Sequence, residues 1–359
     1  MRVAIPHMGK VAIPFKAAFE QLEVDYIIPP VNNQQNLSLG VKYSPEGMCL
    51  PFKLTLGNMM ESVQQGADTL LMAGGYGICR LGYYAATQQQ ILHDLGYDVE
   101  VVQVGVSEHK LGGLLDIIKR ISNNTSWHKI LLAFWFGLAK MRILDRVERE
   151  VMKIRPVEKE KGLVNRIYKR AVEAIDKASS FRSLRKAKKD YLNEIRNVAR
   201  SNNYRPLVVG VSGEIFVVLD PFANMDIEVE LGKLGVEVRR RLFISDWAKF
   251  SFFLNSLGIN ETARIHRAAS PYLKRDIGGE GWETVGEKVL HAADYDGLIH
   301  LAPFTCMPEI VAENIMPATR ESIPVLTILC DEQATKTGVL TRLEAFVDLL
   351  QRRRRVGNN

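Results

Sequence analysis

Apolar and polar positions along the chain switch between two periods. Arg2 to Pro6 alternates as a short strand does, whereas Lys10 to Leu22 repeats its apolar side chains at helical spacing. Asp25 to Pro29 predicts a second short strand. Leu50 to Gln65 predicts a helix with Met59, Met60 and Val63 as its apolar stripe, stopped by Gly66. Thr69 to Ala73 is a continuous apolar run, the pattern of a strand covered on both faces, and it opens into Gly74-Gly75-Tyr76-Gly77. A helix from Tyr83 to Leu95 and a strand from Val99 to Val104 complete this region. Strands alternating with helices predict a mostly parallel sheet covered on both faces.

From Leu111 to Asn202 the strand signals stop. Lys, Arg and Glu alternate with Leu, Ile and Val at helical spacing, and Pro156 is the one proline. This reads as a helical arm. The α/β pattern resumes at Pro206, with strands predicted at Leu207 to Val211, Val236 to Phe243, Gly297 to Leu301 and Val325 to Leu329. Helices are predicted at Trp247 to Leu257, from the Gly278-Gly279-Glu280-Gly281 loop to Ala293, at Pro308 to Ile315 and at Thr341 to Gln351. The expected fold is therefore α/β: two Rossmann-like parallel-sheet domains, 1–110 and 205–359, with a helical insertion, 111–204, between them.

Composition adds limits. The chain has 359 residues, 47% apolar and 25% charged, enough for two α/β domains and an extra element. The N-terminal stretch lacks the apolar core of a secretory signal, and the longest apolar run, Ile130 to Leu138, is about half a membrane span. A cytoplasmic location with no membrane partner is the expectation. The net charge of +6 is concentrated in the arm, where Phe181 to Leu192 is strongly basic, and in Arg352 to Arg355. A solvated helix face accounts for such a run more simply than nucleic acid does, though a protein partner remains open.

Four cysteines without a secretion signal argue against a disulfide framework, and no pair has C-x-x-C spacing. Binding crevices of open parallel sheets lie at the carboxyl ends of the strands. Cys79 follows the strand at Thr69, Cys306 follows the strand at Gly297, and Cys49 precedes a helix in a βα unit, so all three belong to that edge. Nearby glycines and helix N-termini favour thiolate and sulfide, and a soft thiolate set without a neighbouring histidine favours Fe–S over a hard metal. Three ordinary buried thiols are the alternative. Cys330, ending the strand at Val325, is either a fourth ligand or a peripheral thiol. His7 is a candidate proton donor. Glu46, Lys53, Glu280 and Glu309 are candidates to orient substrate or to hydrogen-bond the surroundings of a cluster, with helix caps and salt bridges as alternatives. Gly279-Glu280-Gly281 is a candidate anion loop, and Tyr76, Tyr83 and Tyr84 read as packing residues.

Several stretches together resemble the 2-hydroxyacyl-CoA dehydratase and benzoyl-CoA reductase subunit family, especially its activase-related D-component branch. These are Ile5-Pro6-His7, Glu46-x-x-Cys49-x-Pro51-x-Lys53, the Cys79 loop, Gly279-Glu280-Gly281, Pro303-Phe304-Thr305-Cys306-Met307-Pro308-Glu309, and Asp331-Glu332 with Thr341 to Phe346. The likeness covers both α/β regions and fades across the arm. It implies a [4Fe–4S] cluster, single or part of a linked pair, on Cys49, Cys79 and Cys306, with one iron open to substrate. It also implies an ATP-hydrolysing activator protein with its own cluster, an acyl-CoA substrate, and low-potential reduction or radical dehydration. A homodimer or a homologous sibling subunit is implied in the same way. The chain has no Walker A sequence, which makes it the electron acceptor rather than the ATPase. A non-catalytic cluster carrier or activator-docking scaffold, and a metal-free nucleotide-binding protein, are the rival expectations.

Overall fold

The computed structural model describes residues 1–74, 79–104, 111–201, 205–245, 261–275 and 277–357. The expected helix at Trp247 to Leu257 and the glycines following Gly74 lie outside the described residues.

Two all-parallel four-stranded sheets organise the molecule. The first contains β1 (Val3–Ala4), β2 (Tyr26–Ile27), β3 (Thr69–Ala73) and β4 (Glu100–Val104) in the order β2-β1-β3-β4. The second contains β5 (Leu207–Gly213), β6 (Val236–Arg240), β7 (Gly297–Pro303) and β8 (Val325–Cys330) in the order β6-β5-β7-β8. The orders are equivalent. In each sheet the chain runs outward in opposite directions from the pair β1/β3 or β5/β7, and that switch opens a crevice at the carboxyl ends of those strands.

The first two strands are shorter than their alternation suggests. Pro6 brings no N–H to a ladder, and Pro29-Pro30 does the same after β2. β3 and β7 are buried nearly throughout, which is why they read as unbroken apolar runs. β6 ends at Arg240, and beyond it Leu242, Phe243 and Ile244 are buried in loop and helix rather than extending the ladder.

The helix Leu50–Gln64 departs most from its expected stripe, since every residue from Leu50 to Ser62 is buried. Phe52, Leu56, Met59 and Met60 join the core against β3, while Leu50 and Leu54 join the core of the second sheet. An apolar stripe is enough for a helix on one sheet, but a helix between two cores is covered all round. An additional helix, Gln34–Tyr43, crosses it closely. A Cβ on Gly40 would stand 1.7 Å from the Lys53 carbonyl oxygen, and one on Gly57 would stand 1.9 Å from that of Asn36. Backbone therefore meets backbone at both glycines.

The arm comprises helices Trp127–Ile154, Leu163–Lys177 and Phe181–Arg196, whereas helix Leu111–Ile121, expected in the arm, sets Ile117 and Ile121 against the first sheet's core. Leu144, Val147, Val151, Ile167, Ile175, Leu184 and Ile195 form the arm's core. Arg182, Arg185, Lys186, Lys188 and Lys189 are exposed. The Ile130–Leu138 run is helical as expected, but only half packed: Leu131, Leu132 and Trp135 are exposed. Among the described residues no helix is long and apolar enough to cross a membrane.

Candidate functional site

Loops at the carboxyl ends of both sheets meet across the two domains, and three of them carry the candidate thiols. Cys49 is the N-cap of helix Leu50–Gln64, which leads into β3 from that edge. Cys79 follows β3, one residue before the N-cap of helix Leu81–Asp94. Cys306 follows β7 and is the N-cap of helix Met307–Ile315. Each thiol thus stands at a helix start, where unpaired N–H groups favour negative charge.

Arg80 ties the three loops together. Its Nη1 donates to the Gly47 carbonyl, two residues before Cys49, and its Nη2 donates to the Thr305 carbonyl, directly before Cys306. Thr305 Oγ1 also donates to the Gly47 carbonyl, at 3.1 Å. Thr305 holds φ at +67°, a conformation costly for a β-branched side chain, and these bonds restrain it. On the other side of Cys79, Gly279 (φ +57°) packs so tightly that a Cβ there would lie 3.0 Å from Pro308 and 3.8 Å from the Cys79 Sγ. The glycine loop therefore fits between the Cys79 and Cys306 segments, a packing requirement that accounts for Gly279 and Gly281 without a bound anion.

Burial sets the protonation of the thiols. It raises Cys49 overall, although the Tyr84 hydroxyl, 2.6 Å from its Sγ, works in the opposite direction. It pushes Cys79 up to about 11 and Cys306 higher still. The Phe52, Leu81 and Glu309 amides face the respective sulfurs and partly offset burial. The thiols feel one another as well: the Cys49 charge acts on both Cys79 and Cys306. Such thiols are neutral at pH 7 by themselves, and a cation bound among them is what would ionise them. The donor chemistry therefore suits a soft metal cluster. Among the described residues no group of three or more His, Cys, Asp and Glu side chains can hold a metal ion as placed.

Cys330 belongs elsewhere. It is buried in the second sheet's core with Phe216, Leu301 and Val347, and burial raises it to about 12.

The remaining candidates separate into distinct surroundings. Glu309 is wholly buried, its Oε2 2.8 Å from His300 Nε2 and 3.0 Å from the Thr284 hydroxyl that donates to it. This dyad fastens the Cys306 helix to β7, and the strand periodicity gave His300 no distinguishing signal. Lys53 is buried and pairs with Glu332 at 2.7 Å, a bond between the two domains. Glu280 is half-buried and pairs with Arg241 at 3.4 Å. Burial raises Glu280 to about 8, with Glu283 adding to the shift. Glu46 is exposed and has no polar partner among the described residues. His7 is buried at the end of β1. Its N–H donates to Asn58 Oδ1 at 2.7 Å, its carbonyl accepts from Asn32, and burial lowers its ring below the usual histidine value. Asn32 also donates to Asp220 of the second domain, so His7 forms part of a polar junction. Tyr84 is buried on Phe52 and contacts Cys49, whereas Tyr83 is exposed, contrary to a packing role.

Glu214 was not singled out by sequence. It follows β5, caps helix Ile215–Leu219 by accepting from the Val217 N–H at 3.1 Å, and acts electrostatically on Cys49, Cys79, Cys306 and Cys330. Its position in the Ser212-Gly213-Glu214 segment that follows the predicted strand Leu207 to Val211 was the signal available.

No family model matches the chain, and no curated protein matches it.

Proposed function

We propose that this chain is an iron–sulfur protein whose Cys49, Cys79 and Cys306 hold a [4Fe–4S] cluster with one iron left for a non-thiolate ligand. The observation that carries the reading is the Arg80 bridge, which fastens the loops of all three cysteines to one another across two domains. Three thiols gathered at helix starts, two of them buried, have little structural purpose by themselves, since isolated cysteines pack as small hydrophobes anywhere in a core.

Bound there, the cluster supplies one-electron chemistry and a Lewis-acidic iron. The chain's own residues do the rest. Tyr84 orients the Cys49 sulfur, His300 and Glu309 fix the helix that presents Cys306, and Lys53 with Glu332 fastens the two domains beside the site. The proposed activity is low-potential reduction or radical dehydration of an acyl-CoA-type substrate in the cytoplasm. An ATP-hydrolysing activator protein with its own cluster delivers the electron, and a second copy or a homologous sibling completes the assembly. The resemblance in the cysteine-bearing motifs supports this choice of chemistry.

Anaerobic reconstitution followed by iron and sulfide analysis tests it. About four irons per chain are expected for a single cubane. C79A and C306A should lose most of that iron, while C330A should keep it. Iron-free, colourless protein after reconstitution rejects the cluster. A cluster whose EPR spectrum is indifferent to every acyl-CoA tried rejects the substrate class.

A further inference from the structure

The first turns of helix Trp127–Ile154 are apolar on two faces. One face, with Ile130, Ala133, Phe136 and Gly137, is buried, and a Cβ on Gly137 would stand 3.0 Å from the Pro14 carbonyl oxygen. On the other face Trp127, Leu131 and Trp135 recur every fourth residue and so form one stripe along the helix. Trp127 is 43% exposed, and Leu131 and Trp135 are each 53% exposed. Leu132 is exposed as well, and one turn on from it Phe136 meets the exposed Phe181 edge to face, with ring centroids 5.1 Å apart. The apolar surface therefore continues onto the start of helix Phe181–Arg196. Single exposed apolar residues are ordinary, but a contiguous run marks an interaction surface.

The charge around this surface has one sign. No Asp or Glu occurs from Ile117 to Leu144 or from Lys177 to Lys189. Lys129 lies in the first turn of the long helix, Arg142 continues the stripe two turns beyond Trp135, and Arg182, Arg185, Lys186, Lys188 and Lys189 follow Phe181; all are exposed. None of them forms an ion pair among the described residues, although the arm pairs its basic side chains elsewhere: Arg166 with Glu160, Arg170 with Glu194 and Arg196 with Glu150. Lys119 adds a further cation, its Nζ 4.6 Å from the Trp127 ring centroid. The countercharge for this surface must come from outside. A second copy of the chain would bring like charges together around the apolar contact, which opposes self-association. A helix ridge of Trp and Leu with Lys and Arg beside it instead matches an anionic lipid surface. Indole rings settle at headgroup level there, apolar side chains enter the acyl boundary, and basic side chains meet the lipid charge.

We propose that Trp127, Leu131, Leu132 and Trp135, with the basic start of helix Phe181–Arg196, dock the protein on an anionic lipid surface. The long helix then lies along the surface and spans nothing, which its lack of a membrane-crossing length of apolar residues leaves open. The docking is independent of the cluster reading, and it replaces the expectation of no membrane partner, which rested on spanning segments alone.

The test uses the full-length chain and co-sedimentation with two sets of vesicles, phosphatidylcholine alone and phosphatidylcholine with an equal amount of phosphatidylserine. Wild type should bind the anionic vesicles about tenfold or more tightly than the neutral ones, and raising salt from about 0.1 M to about 0.5 M should weaken that binding. Leu131→Ser with Trp135→Ser, and separately Arg182→Glu with Arg185→Glu, should each weaken it about tenfold or more. Arg264→Glu with Arg267→Glu, the same change of net charge at exposed positions of the second domain, should leave it unchanged. Trp127→Phe with Trp135→Phe keeps the surface apolar and serves if the serine variant folds poorly. It should bind as wild type does, yet lose most of the tryptophan quenching that brominated lipid causes in wild type; full quenching overturns the proposal. Wild type that ignores anionic vesicles, or binding that survives both the serine and the glutamate variants, overturns it too. So does a wild-type dimer in lipid-free solution that Trp135→Ser dissociates, since a second copy then covers the ridge.

Discussion

At the scale of single residues, Arg80 has the largest structural reach for its size. One planar guanidinium serves two carbonyls from different domains, a fork geometry that a lysine ammonium cannot reproduce. Removing it releases the Gly47 and Thr305 carbonyls and frees Thr305 to relax from its left-handed backbone. R80A is expected to lower the unfolding free energy by about 1–3 kcal/mol, in the range of hydrogen bonds to charged groups. In metal-free protein it should also speed the reaction of Cys49 and Cys306 with a thiol reagent, with R80K restoring only part of the protection. Unchanged thiol reactivity in R80A would show that the loops are held by other contacts. The cysteines were legible from sequence because a thiol is chemically distinctive wherever it stands. Arg80, Tyr84, His300 and Glu214 were not, because each belongs to the site through a partner that folding supplies.

At the scale of elements, helix Leu50–Gln64 decides how the domains meet. It carries Cys49 at its start, Lys53 one turn in, and apolar side chains toward two cores. Its crossing with Gln34–Tyr43 depends on Gly57 and Gly40, where each backbone reaches the other. G57A places a Cβ against the Asn36 carbonyl, and since backbone cannot yield as a side-chain tip does, the helices must separate. A loss of about 1–3 kcal/mol in chemical denaturation is expected from such overpacking. Iron retention in reconstituted protein should fall alongside it, because Cys49 moves with the helix. Wild-type stability in G57A would mean the crossing is looser than its geometry. The sequence pattern identified this helix but not its crossing partner, since Gln34 to Tyr43 is mostly polar and its burial comes from Asn36, Leu37 and Gly40 alone.

At the scale of the whole molecule, one buried ionic junction joins the first domain, the arm and the second domain. Glu148 of helix Trp127–Ile154 meets Lys10 at 3.1 Å and Arg240 of β6 at 2.6 Å, and Arg240 also reaches Glu228 at 2.6 Å. Burial by itself raises the Glu148 carboxyl, but Lys10 and Arg240 outweigh it and hold Glu148 at about 2. A carboxyl depressed on folding adds stability above its unfolded value, near 4.5, and that stability is lost as pH falls through the folded one. Wild-type stability should therefore drop between about pH 5 and pH 2. E148Q should be less stable at pH 7 and show a flatter acid limb in urea denaturation. Parallel acid limbs would show that Glu148 contributes nothing specific to folding.

The sequence by itself determined what is local. Period-two and helical patterning, with glycine and proline at their ends, specified most of the strands and helices and hence an α/β fold, because burial on one or both faces leaves its mark on consecutive residues. It also determined which thiols lie at the carboxyl ends of strands, since chain order and parallel pairing imply that edge. Tertiary structure decided which of these local facts act together. Cys330, at the same edge by sequence, turns into the core, whereas Arg80, unremarkable in sequence, bonds the loops of the other three thiols to one another. Side-chain direction and domain closure depend on contacts between residues hundreds of positions apart, and no local period encodes those contacts.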